Sequence, residues 1–111
     1  MNNVMTIQGV DAVIQFDPEI GMFRGEFTGL NGGADFYATD VDGLQREGEI
    51  SLRVFLDMCA QDGVEPFAKS SGRLMLRLPP ELHAKAATAA KAAGISLNAM
   101  IEQAIRHELA A

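Results

Sequence analysis

Arg73, Met75 and Arg77 alternate with Leu74, Leu76 and Leu78 in an unbroken period of two. An extended chain sends successive side chains to opposite faces, so this run carries two guanidiniums and a thioether on one side and three leucines on the other. A guanidinium is a planar fork of donors that matches paired acceptors, among them phosphate oxygens and the O6 and N7 edge of guanine. Met75 is apolar and flexible, and suits a thymine methyl better than a hydrogen-bonding base edge. Ser96, Leu97 and Asn98 stand where a helix is expected to begin. Free backbone N–H groups and the positive end of the helix dipole make such a start a phosphate anchor.

Other chemistries find little support. Cys59 is the single cysteine, and His83 and His107 lie far apart, so no disulfide within the chain and no zinc-ligand spacing is available. Cys59 reads as a small buried apolar residue, and the two histidines as surface or capping residues. Two-metal nuclease chemistry needs carboxylates converging on one cleft. Asp11, Asp17, Glu19, Glu26 and Asp35 are instead scattered over strand faces and turns. No catalysis, metal or cofactor is expected. Met1 to Thr6 lacks the basic and apolar regions of a secretory signal, and no stretch approaches the ~20 apolar residues of a membrane span. A cytoplasmic protein with no membrane partner is expected.

The elements that must position these residues fall into two groups. Val10 to Asp17 alternates as a half-buried strand, Asp17-Pro18-Glu19-Ile20-Gly21 is turn chemistry, and Met22 to Thr28 returns antiparallel. Ala34 to Ala38 makes a third strand. Thr39 or Asp40 then caps a helix to about Gln61, with Val41, Leu44, Gly48, Leu52, Phe55 and Cys59 on its inner stripe. Gly48 within it predicts a close packing contact with the sheet. Residues 63–72 read as a linker.

Past the linker, Pro79-Pro80 stops the alternating strand and opens a helix to about Ala93, with seven alanines in residues 84–93 and Gly94 as its terminator. Ser96 caps the last helix, whose stripe is Leu97, Met100, Ile101, Ala104, Ile105 and Leu109. About forty residues with one short strand cannot close a core alone. If two copies pair through residues 73–78, the six leucines lie under four helices, with Leu74, Leu76, Leu78, Leu97, Ile101 and Ile105 as the dimer core. Arg73, Met75 and Arg77 of each copy then face outward on a two-stranded ribbon, which fits the major groove of DNA.

Charge divides at the linker. The net charge is −6, which by itself argues against binding phosphate. Residues 1–68 hold three arginines against twelve acids, a net of −9, whereas residues 69–111 hold six bases against three acids, a net of +3. The basic half carries the ribbon.

Arg73 to Pro79, followed by Gly94-Ile95-Ser96-Leu97-Asn98, resembles the ribbon-helix-helix DNA binders of the Arc and MetJ class. By that resemblance Arg73, Met75 and Arg77 read bases, and Ser96, Leu97 and Asn98 hold phosphate. Gly29-Leu30, Ser51-Leu52, Phe55-Leu56, Cys59, Gly63, Pro66, Ser71-Gly72 and the run from Leu76 to His83 look like a HicB-type antitoxin over nearly the whole chain. The resemblance implies an α+β chain. Residues 1–62 are then a partial ribonuclease H-like βββα domain that holds a small basic mRNA-cleaving HicA-like toxin. Residues 73–111 are a β-α-α domain that binds operator DNA of its own operon as a homodimer, with dimers associating further into tetramers. A stand-alone repressor whose first domain binds a small ligand or only tethers dimers is the alternative, and a nuclease ranks behind both.

Overall fold

The computed structural model describes residues 3–110. Met1 and Asn2 of the N-terminal segment, and Ala111 at the end of the expected second domain, lie outside the described residues. Two compact units divide the chain, one running through Ser71 and the other starting at Gly72.

The first unit has strands β1 (Val4–Ile7), β2 (Val10–Asp17), β3 (Met22–Phe27) and β4 (Asp35–Ala38), then helix α1 (Val41–Asp62). The strands form an antiparallel meander in the order β1-β2-β3-β4. The expected βββα arrangement is therefore corrected to ββββα. Val4 to Ile7 is too short to show a period, and it becomes a strand by pairing: Val4 lies opposite Val13, and Ile7 opposite Val10. The connecting Gln8 and Gly9 both have positive φ, at 49° and 82°. That is the pattern of a two-residue hairpin turn whose twist matches the strands, and glycine meets it without strain. The second hairpin follows its turn chemistry. Asp17 accepts the Glu19 N–H at Oδ1 (3.0 Å) and the Gly21 N–H at its carbonyl (2.9 Å).

One sheet face and α1 enclose the core of Ile7, Ala12, Phe27, Phe36, Leu44 and Leu52. The Phe27 and Phe36 rings lie 5.0 Å apart, tilted by 42°. Gly48 makes the close contact its position predicted: a Cβ there would overlap Ile7 Cδ1 and press to 3.2 Å from the Phe36 ring. Asp40 rather than Thr39 caps α1, its Oδ1 accepting the Gly43 N–H at 2.6 Å. Buried Leu44, Gly48, Leu52 and Cys59 form the inner stripe. Val41 departs from it, being 65% exposed, although Gly43 and Leu44 of the same turn are buried.

Much of the expected linker is tied down. The Ala68 N–H donates to the Gly29 carbonyl, the Asn31 N–H to Pro66, and the Asn31 side-chain amide to the Glu65 and Phe67 carbonyls. The first unit thus extends past α1 along the 29–31 loop.

The second unit contains α2 (Pro80–Ala92) and α3 (Leu97–Ala110). Pro80 takes the first position of α2. At its far end the Gly94 N–H reaches the Lys91 carbonyl and the Ile95 N–H reaches Ala90, the paired bonds of a Schellman stop. Ser96 caps α3, its hydroxyl accepting the Ala99 N–H at 3.0 Å. Residues 73–78 make no strand pairing among the described residues. A ladder needs a second strand, and this unit has no other.

Candidate functional site

Ala90 is the only buried residue of the second unit among those described, and α3 has none. Its apolar side chains converge on an open hollow of about 660 Å³ instead. Leu74, Leu76 and Leu78 line one side, and Leu97, Ile101 and Ile105 of α3 line the other. All six residues expected in a dimer core therefore meet in one place. Leu74 remains 75% exposed and Leu76 50%. An apolar surface this continuous on so small a unit is what a folding partner or interface covers.

Met75 and Arg77 stay outside the lining, and Met75 is 86% exposed. Arg73 is exposed too, but it lines the hollow beside Leu74, at the margin between the two faces. At the start of α3, the N–H groups of Leu97 and Asn98 have no acceptor within the helix, and the dipole makes this end positive. Asn98 borders the hollow, whereas Ser96 does not; its hydroxyl is engaged in capping. His83, read as a surface or capping residue, is exposed and also lines the hollow.

The first unit has a second hollow, of about 330 Å³, lined by Met5, Ile14, Phe16, Phe23, Val41 and Leu44 among others. Phe16 and Phe23 face each other across the β2–β3 ladder with rings edge to face at 5.3 Å. Phe16 is 56% exposed, although the alternation puts it on the inner face with Val10, Ala12 and Ile14. Asp17, Asp40 and Asp42 adjoin this hollow in sequence. Paired phenylalanines either side of the 17–21 turn were the available signal for it.

On the opposite sheet face, Arg24 is held 2.6 Å from Asp35 and 3.5 Å from Glu26. The hydrogen bond to Asp35 raises its pKa further above the usual arginine range, with the charges of Asp35 and Glu26 acting in the same direction. One of the three bases of the acidic half is thereby neutralised. The carboxylates do not converge: Asp11 accepts the Thr6 hydroxyl at 2.7 Å, Asp35 holds Arg24, and Asp17 closes a turn. Among the described residues no three His, Cys, Asp or Glu side chains are grouped to hold a metal ion, and no helix is long and apolar enough to cross a membrane.

Residues 55–105 match the model of the HicB family, from the last turns of α1 into α3. The match covers just under half of the chain and makes it similar to that family over those residues. The resemblance drawn over nearly the whole chain is thus matched over its second half. No curated protein and no solved structure matches the chain.

Proposed function

We propose that this protein is the antitoxin of a toxin–antitoxin pair: its acidic first unit binds a small basic toxin of the HicA type, and its second unit represses its own operon. The observation that carries the DNA half is the hollow formed by six apolar side chains, with Met75 and Arg77 outside it. A second copy pairing strand to strand along residues 73–78 covers that hollow and turns Met75 and Arg77 of both copies to one side. The ribbon then enters the major groove, Arg77 with Arg73 reading guanine edges, Met75 touching a thymine methyl, and the Ser96–Asn98 turn anchoring phosphate. Arg77→Ala leaves the helices intact and weakens operator binding about 30-fold or more, because each bidentate guanine contact is worth about 1–3 kcal/mol and the ribbon has two copies. Affinity measured at one fixed salt concentration checks this; an unchanged value removes Arg77 from the readout.

The toxin half rests on charge and on the Phe16–Phe23 hollow. A basic protein is steered by the net −9 of residues 1–68, and an apolar side chain entering the hollow supplies the anchor. No reaction is assigned to the protein, and its place of action is the cytoplasm. Co-expression with the basic product of the adjacent reading frame tests the reading. The two co-purify and toxicity is lost; Phe16→Asp, at a half-exposed position, reduces capture at least 10-fold while the unit, less its ring contact with Phe23, stays folded. A neighbour that neither binds nor loses toxicity rejects the antitoxin role. The size of the hollow, near the lower end for small-molecule pockets, favours the ligand-binding repressor as the second reading.

A further inference from the structure

The two edges of the first sheet differ. β1 and β4 are the outer strands, and at β4 the Ser51 hydroxyl donates to the Asp35 carbonyl at 3.0 Å. β1 has no such cover. The Ile14 N–H donates to the Asn3 carbonyl, and the antiparallel register steps on by two, so Met5 and Ile7 turn their main-chain groups toward β2. Val4 and Thr6 therefore point theirs away from the sheet, and nothing meets them among the described residues. Exposed edges are ordinarily blunted by a lysine, a proline or a bulge, and Val4-Met5-Thr6-Ile7 has none of these. The same strand borders the smaller hollow: Asn3, Val4 and Met5 line it together with Ile14, Phe16 and Phe23. Open main-chain groups beside an apolar hollow are the two parts of a site that takes a peptide as an added strand, the first bonding its backbone and the second holding a side chain.

Charge selects the occupant. Asn3 to Asp17 contains Asp11 and Asp17 and no lysine or arginine, and Glu19 follows in the turn. Across the hollow, the cap and opening turns of α1 carry Asp40, Asp42, Glu47 and Glu49 against Arg46, with Arg53 two turns further along. Arg24, next to Phe23, is already held by Asp35, with Glu26 3.5 Å away. The positive end of the helix dipole amounts to about half a charge and does not offset this excess of carboxylates. A second copy brings the same acidic hairpin to the edge and no cation, whereas a basic segment is attracted to it.

We propose that an extended basic segment of the partner protein adds to the outer edge of β1 as a fifth strand, bonded to the main-chain groups of Val4 and Thr6, with one apolar side chain seated in the hollow. This rests on the reading of the first unit as the holder of a basic partner, and states how that partner is held. Amide hydrogen exchange of the full chain, alone and with the basic product of the adjacent reading frame, tests it residue by residue. In the chain alone the Val4 and Thr6 amides exchange fast and those of Met5 and Ile7 slowly; the partner slows Val4 and Thr6 at least 100-fold. Thr6→Pro deletes one outward N–H and spares the ladder to β2, as proline does on an edge. Capture of the partner then falls at least 10-fold, while Thr6→Val, which loses only the hydroxyl that donates to Asp11, captures as the parent does. Capture by the parental chain with Val4 and Thr6 still exchanging fast overturns the added strand and leaves the antitoxin reading standing. No capture by the parental chain removes both. Slow exchange of the two amides in the chain alone, deepening with its concentration, assigns the edge to a second copy and overturns the proposal.

Discussion

Leu76→Asp abolishes operator binding and unfolds the second unit. Leu76 lines the hollow from one side while Ile101 and Ile105 line it from the other, and α2 and α3 bury only Ala90 on their own account. A carboxylate placed where two leucines should meet across a two-fold axis must be desolvated beside its own counterpart, a cost of several kcal/mol that this small unit has no core to absorb. In the proposed pairing, folding of the unit and association of copies are the same event, as in dimers with no stable folded monomer. Of the 22, 13 and 14 residues of α1, α2 and α3, the latter two melt, so circular dichroism loses about half of its helical signal. Retained helicity together with parental affinity for operator DNA shows that Leu76 is not at an interface. The first unit has its own core, so its capture of a basic partner survives.

Gly48→Leu unfolds the first unit. Even a Cβ at position 48 overlaps Ile7 Cδ1 and crowds the Phe36 ring, both fully or nearly fully buried. Neither can move outward, since Ile7 is fixed by its pairing with Val10 and Phe36 lies between Gly25 and Phe27. Overpacking of this kind costs about 1–3 kcal/mol for one or two extra groups, and a leucine adds more. In a unit of this size about 3 kcal/mol lowers the melting point by more than about 10 °C. Shortening the residue that occupies the space gives the cross-check: Gly48→Ala with Ile7→Val recovers part of the stability lost by Gly48→Ala alone. A melting point unchanged by Gly48→Leu contradicts the packing described.

What could be read in advance followed the length and one-sidedness of each element. Val10–Asp17 and Met22–Phe27 bury one face over six to eight residues, and their alternation is plain. β1 has four residues and no contrast between faces, and it exists because Gln8-Gly9 folds it back onto β2. The tying of residues 64–68 to the 29–31 loop depends on backbone bonds and the Asn31 amide, which no apolar pattern announces. In the second unit, perfect alternation at 73–78 predicts a strand, and among the described residues that segment pairs with none. The six residues chosen as its core do line one hollow. Phe16 and Val41 have the periodicity of core residues and read as inward-facing, yet they stand 56% and 65% exposed. Only the extent of the sheet and helix decides which of them are covered.

Titration of the protein's own promoter DNA, at one salt concentration, examines the paired ribbon most directly. The proposed ribbon, with Leu74, Leu76 and Leu78 on the hollow side and Met75 and Arg77 outside it, predicts saturable binding, preferred at least 100-fold over unrelated duplex, with chains bound in pairs. Binding by single chains, or equal affinity for unrelated DNA, contradicts it.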